Sequence, residues 1–217
     1  MTQKNKMIVT VVAIIAMLAA IFFFGVKKFN QHTQDKAGSV ISTNSQVLVP
    51  DYAVRKGSPS AAVTVVEFLD PECESCRRFN PYLHSIMNDY DGKIQLVVRY
   101  AAFHANSSFA IKILEAARKQ DKYWQALEIL FQHQPEWGDH HNPRPELIWT
   151  FLPRMNIDVE KLKRDMEDPK IVEIIEQDAK DGQALGVKAT PTFFVNGKMV
   201  QEFGPHHLRA AIDEALK

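Results

Sequence analysis

Apolar and polar positions divide the chain into three regimes. From Met7 to Val26, twenty residues run without a charge, rich in Ile, Val, Ala and Phe, with Lys4 and Lys6 before them and Lys27 and Lys28 after. As a helix this run spans about 30 Å, the thickness of a bilayer core. It continues through Phe22, Phe23 and Phe24, past Ala19 and Ala20 where signal cleavage would fall, so an uncleaved anchor is expected rather than a cleaved secretory signal. Lys27 to Gln46 is polar with no apolar period, which predicts a tether whose root-mean-square reach is about 25 Å. The expected division is an N-terminal flank over 1–6, a transmembrane anchor over 7–26, a tether over 27–46 and a folded domain over 47–217.

Inside the folded domain the period alternates between strand and helix. Gly57 to Ser60 is a turn cluster, and Ala62 to Leu69 is a β-branched run suited to a buried central strand. A helix is expected from about Cys73 to Tyr90, then a turn at Asp91 and Gly92 and a second strand over Ile94 to Tyr100. Apolar residues next recur at helical spacing, with Ile111, Leu114 and Ala117 in Asn106 to Lys119, and Trp124, Leu127, Leu130 and Phe131 in Tyr123 to Gln132. Pro135 to Pro145 reads as a polar, solvated loop; its His140 and His141 have no carboxylate or thiol at ligand spacing. Further helices are expected over Pro145 to Met155, Val159 to Met166 and Pro169 to Leu185. This helical block, about 104–185, separates the second strand from the rest of the sheet.

Gly186 to Val195 supplies a third strand, Asn196 and Gly197 a hairpin turn, and Lys198 to Phe203 a fourth strand. An amphipathic helix then runs from Gly204 to Lys217. Pro191 at a strand entrance lacks the N–H for a ladder bond and so needs a reason. A cis peptide after Thr190 would let this loop turn beside the thiols and present backbone groups to a substrate; the alternative is a trans proline on an edge strand.

A hydrophobic content of 46% and a charged content of 24% are ordinary for a folded protein once the N-terminal apolar run is set aside, and 217 residues suit one domain with appendages. With 26 basic and 26 acidic residues the net charge is zero, so no electrostatic footprint for nucleic acid exists.

The chemistry lies in Cys73-Glu74-Ser75-Cys76, which holds the only two cysteines. Two intervening residues bring the sulfurs within disulfide range on one helical turn, and a helix N-terminus offers unpaired N–H groups that stabilise a thiolate. Three other readings compete with catalytic thiols. Half of a zinc site would need a second ligand pair, and the histidines show no such spacing. Attachment of c-type haem would need His where Arg77 stands. A structural disulfide this short would constrain little chain entropy. Glu67 sits within the apolar run, six residues before Cys73, either as a paired core carboxylate or as a proton relay for the second thiol.

Taken together, Val65, Glu67 and Phe68 with Pro71 and Cys73-x-x-Cys76, joined to Gly186, Val187 and the run Thr190 to Gly197, resemble the thioredoxin fold in its DsbA-like branch. The resemblance covers about Val47 to Lys217. It implies an α/β fold with an inserted helical domain, Cys73 as attacking thiol, Cys76 as resolving thiol and a reversible Cys73–Cys76 disulfide. Pro191 would be the cis-proline facing them, Thr190 a substrate-contacting neighbour, and Glu67 the buried acid below the resolving sulfur. The dipeptide departs from the pattern: strong oxidants of the family carry Pro and His where Glu74 and Ser75 stand, so these two residues are expected to tune the potential, with Glu72 and Glu74 repelling the thiolate.

The function expected is a thiol:disulfide oxidoreductase forming disulfides in exported proteins, with no cofactor or metal. Alternatives are a periplasmic reductase or isomerase, and a Cu(I)-binding thiol protein, since thiolates favour soft metals. Cysteine-containing exported proteins and a membrane redox partner would be its partners. The flanking lysines give no orientation, but the dithiol places the domain on the oxidising side of a bacterial inner membrane, in the periplasm or equivalent space. Anchor and tether take up the residues before Val47, which leaves no dimerisation domain and predicts a monomeric catalytic domain.

Overall fold

The computed structural model describes residues 47–217. The expected anchor over 7–26 and tether over 27–46 lie outside the described residues. Among the described residues no helix is long and apolar enough to cross a membrane.

The central strand β2 (Val63–Leu69) is the β-branched run, and its alternation of side chains serves both faces of the sheet. Val63, Val65 and Leu69 join one buried cluster, Val66 and Phe68 another. Strand β3 (Ile94–Tyr100) pairs with β2 in parallel, and the connection between them is helix α1 (Glu74–Asp89). Cys76, Phe79, Leu83 and Ile86 recur at three- and four-residue spacing on α1 and form its buried stripe. After β3 come α2 (Ser107–Arg118), α3 (Tyr123–Gln132), a short turn of helix α4 (Gln134–Trp137), α5 (Ile148–Phe151) between two 3₁₀ turns, α6 (Val159–Asp165) and α7 (Pro169–Ala184). The chain then returns to the sheet as β4 (Thr192–Val195), antiparallel to β2, turns through Asn196 and Gly197 into β5 (Lys198–Met199), and ends in α8 (Pro205–Ala215).

The hairpin turn takes positive φ at both central residues, 45° at Asn196 and 83° at Gly197, as Asn-Gly permits. Asn196 also fastens the hairpin to β2: its Oδ1 accepts from Thr64 N at 2.8 Å, and its own N–H donates to Thr64 O at 2.9 Å.

Four elements differ from the sequence reading. A strand precedes the turn cluster: β1 (Val54–Gly57) pairs antiparallel with β3, giving the order β1-β3-β2-β4-β5. Only Val54 of its four residues is buried, so this edge strand carries no alternating pattern. The third strand starts at Thr192 rather than Gly186, because Pro191 cannot donate to a ladder. The fourth ends at Met199, and residues 200–204 peel away toward α8, leaving Phe203 exposed against Phe79 at 5.4 Å between ring centroids. The loop expected over Pro135 to Pro145 begins as helix α4, held by the fully buried Trp137, whose indole donates to Leu130 O at 2.8 Å.

Helix α7 covers the second sheet face around a buried cation. Arg99, with no exposed surface, donates through Nε to Asp178 Oδ1 at 2.8 Å and through a terminal nitrogen to Asp181 Oδ2 at 2.6 Å. It also reaches the Tyr52 hydroxyl at 3.0 Å and the carbonyl of Val47, which ties the start of the domain to the sheet. Gly182 lets α7 approach: a Cβ there would meet the Phe68 ring at 3.2 Å.

Candidate active site

Strand β2 runs out at Leu69, and the turn Asp70-Pro71-Glu72 delivers the chain to Cys73, the N-cap of α1. Cys73 is extended (φ −76°, ψ 122°) and makes no side-chain cap, so the unpaired N–H groups of the first turn are free to face its sulfur. Antiparallel pairing of Phe68 with Thr192 brings the start of β4 alongside this turn. The Thr190–Pro191 bond is cis, and Cys73 Sγ lies 3.3 Å from the Thr190 carbonyl oxygen. Both thiols are free and buried, Cys73 at 8% exposure and Cys76, one turn into the helix, at 1%.

Opposite forces act on the two sulfurs. A hydrogen bond from the Cys76 thiol pulls the Cys73 pKa down to about 5, outweighing burial, with a bond from Thr190 and backbone N–H groups of Cys76 and Ser75 assisting. Burial pushes the Cys76 thiol well above its ordinary value, reinforced by its donation to Cys73 and by the nearby charge of Glu67. Glu67 is 4% exposed, and burial alone raises its carboxyl to about 8. Among the described residues no hydrogen bond or ion pair to its carboxylate offsets that burial.

Ser75 lies with Thr190, Pro191, Phe193, Val200 and Phe203 around an open cavity of about 420 Å³ beside the thiols. Its hydroxyl accepts from Arg78 at 3.2 Å. Glu74 reaches partly into solvent, its side chain 44% exposed. Glu72 does not: it is 2% exposed and holds Asn106, accepting from its backbone N–H at 2.6 Å and its side-chain amide at 2.8 Å. The insertion folds over Glu72 and removes it from solvent.

Several residues that build the site have no local signature in the sequence. Asp70 is fully buried and accepts four hydrogen bonds, from Glu72 N at 2.9 Å, Phe103 N at 2.9 Å, His104 Nδ1 at 2.7 Å and Ser107 Oγ at 2.6 Å. Gln134 clamps the other side of the turn, donating to Pro71 O at 2.8 Å and Cys73 O at 3.1 Å while accepting from Arg77 Nε at 3.0 Å. His140, exposed in the loop after α4, packs against His104 with ring centroids 4.8 Å apart. Its Nε2 stands 3.7 Å from Glu74 Oε1. Only a turn signal at Asp70-Pro71 was available to point toward this arrangement.

Fold and site together define a dithiol protein built on a thioredoxin-like sheet with a helical insertion between β3 and β4. The thioredoxin family's model matches residues 51–214, and the chain belongs to that family. Among solved structures it is similar to a thioredoxin-like oxidoreductase from Silicibacter pomeroyi DSS-3, at 31% identity and a TM-score of 0.68, over 79% of this chain and 96% of that one. It shares its fold with the thiol-disulfide exchange protein alpha-DsbA2 of Wolbachia pipientis, at 24% identity and a TM-score of 0.71, over 84% of this chain and 97% of that one. Among curated proteins it is 30% identical over 146 residues, 67% of this chain, to a Na(+)/H(+) antiporter NhaA of Herminiimonas arsenicoxydans. The chain spans 22% of that relative's length.

Proposed function

We propose that this chain is a membrane-tethered thiol:disulfide oxidoreductase that donates disulfides to exported proteins. The observation that carries the reading is the division of labour between the sulfurs: an acidic Cys73 at a helix start beside Thr190, and a buried Cys76 of opposite tendency one turn in. In the donating direction a substrate thiolate attacks Cys73 Sγ of the oxidised protein. The Cys73–Cys76 bond breaks, and Cys76 leaves with the electron pair and takes a proton, for which Glu67, protonated below about pH 8, is the source. A second substrate thiolate then attacks the substrate sulfur of the mixed disulfide, releasing the oxidised substrate and Cys73 as thiolate. A membrane redox partner removes the two electrons and restores the protein disulfide. Run backward, the same steps make Cys73 the attacking thiolate, Cys76 the resolving thiol and Glu67 its base.

The cavity beside Pro191 and Ser75, with the exposed Phe203 at its edge, is a suitable seat for an extended, unfolded chain. Residues 7–26 serve in this reading as a single inner-membrane helix and 27–46 as the tether, which holds the domain over 47–217 on the extracytoplasmic side.

Equilibrating the full chain with glutathione buffers tests the direction. The expected potential lies between about −120 mV for the strongest oxidant and about −270 mV for thioredoxin, and the oxidised protein should drive refolding of a reduced two-cysteine substrate. A potential at or below that of thioredoxin, with failed refolding, would replace the donor reading with a reductase.

A further inference from the structure

We propose that His104, with the ring of His140 packed against it, stabilises the Cys73 thiolate from the side of the helical insertion. The inference rests on the reading of Cys73 as the attacking thiol, and it adds two residues that act on that thiol through space, as positioning residues.

The turn around Cys73 is crowded with negative charge. Asp70, Glu72 and Glu74 all lie within three residues of it, and two of these carboxylates are buried. These carboxylates oppose the thiolate that the hydrogen bonds of Cys76, Thr190 and the helix start favour, and a cation nearby would offset them. The partners of Glu72 are the neutral groups of Asn106. The two arginines of the adjoining helix turn bond neutral groups as well, Arg77 to Gln134 and Arg78 to Ser75.

The histidines are placed differently. His104 points Nδ1 at Asp70 Oδ2, 2.7 Å away, and Asp70 is an acceptor for three further donors, so the carboxylate holds the ring with a proton on Nδ1. His140 reaches over from the loop after α4, its ring 4.8 Å from that of His104 at an interplanar angle of 31°. At the far end, His140 Nε2 faces Glu74 Oε1 at 3.7 Å. The pair is thus bracketed by the carboxylate before the thiols and the carboxylate between them. The titratable groups around it are Asp70 and Glu72 from the turn, Cys73 at the helix start and Glu74 from the first turn of α1. Burial works against charge on His104, but the hydrogen bond and charge of Asp70, then the charges of Cys73 and Glu72, hold its pKa above the usual imidazole value.

Coupling between the two charges must be reciprocal. If His104 favours the thiolate, then reducing the protein, which creates that thiolate, must raise the proton affinity of His104 by the same factor. A histidine that only pins the loop after β3 to Asp70 would titrate alike in both redox states.

The experiment is an NMR titration of ¹³C-labelled histidines in the full chain, oxidised and reduced, together with ultraviolet titration of the Cys73 thiolate in native protein, His104→Asn and His140→Ala. The expected result is a His104 midpoint about half a pH unit higher in the reduced protein, roughly a threefold change in proton affinity, and a matching rise of the Cys73 midpoint in His104→Asn. His140→Ala, which alters a half-exposed loop residue, should show a smaller shift in the same direction and covers the case in which His104→Asn fails to fold. The proposal is overturned if His104 titrates at the same pH in both redox states, or if the Cys73 midpoint is unmoved in the folded variants. Failure of the refolding assay with both titrations intact would instead sink the donor reading alone.

Discussion

Cys73 Sγ and the carbonyl oxygen of Thr190 lie 3.3 Å apart although 117 residues separate them in sequence. The pairing of β4 with β2, with Thr192 opposite Phe68, produces this contact, because each strand ends at the turn that carries its half of the site. In the proposed function, a substrate sulfur attacking Cys73 arrives beside the backbone of Thr190.

The unequal thiols predict unequal labelling. With its pKa near 5, Cys73 should be alkylated at a rate almost independent of pH above about 6, while Cys76, buried and pushed upward, should remain unmodified in the folded protein. Mass spectrometry after brief iodoacetamide treatment of the reduced chain reads this directly. Equal labelling, or faster labelling at Cys76, would remove the assigned roles. Cys76→Ala should accumulate mixed disulfides with substrates, and Cys73→Ala should form none.

Glu67→Gln should slow resolution by Cys76 by about 10²-fold and erase the pH dependence of that step near 8. It should also change the stability profile. The folded carboxyl titrates at about 8 and an unfolded one near 4.3, so between these values the folded state holds a proton that the unfolded state has lost. Stability supplied by the protonated form is complete below about pH 4.3 and is lost as pH rises through about 8, by on the order of a few kcal/mol. Denaturant melts of native chain and Glu67→Gln at pH 5 and pH 9 should thus diverge, the variant being the more stable at pH 9. Parallel pH profiles would show that Glu67 does not titrate as stated.

Asp70→Asn should destabilise the domain by about 3 kcal/mol, because an amide can accept through only one atom where four donors now converge on two oxygens. The damage should centre on residues 101–107, detectable as faster hydrogen exchange there than in α7. A shift below about 1 kcal/mol would mean that the turn is held mainly by Gln134.

Topology is tested by fusion. Alkaline phosphatase joined after Lys217 should be active if the domain lies outside the inner membrane, and the domain should be cleaved by protease added to spheroplasts. An inactive, protected fusion would reverse the orientation.

What the sequence determined by itself was whatever rests on near neighbours in the chain. The β-branched period of Val63–Leu69 requires a buried strand, the spacing of Cys76, Phe79, Leu83 and Ile86 makes one face of a helix, and Asn196-Gly197 is a turn in which both residues accept positive φ. The thiols belong to this group, since two intervening residues and a helix start suffice to pick them out as the candidate redox pair. Tertiary structure decided the rest. Strand β1 is placed by backbone hydrogen bonds to β3 and not by its side chains, of which only Val54 is buried, so no hydrophobic pattern announces it. Asp70 with His104 and Ser107, Glu72 with Asn106, and Gln134 with Pro71 join residues 34 to 63 positions apart, and only folding of the insertion over the turn makes them neighbours. The same folding buries Glu72 and brings the loop residue His140 against His104. Each of these depends on desolvation and distance, and a linear spacing carries neither.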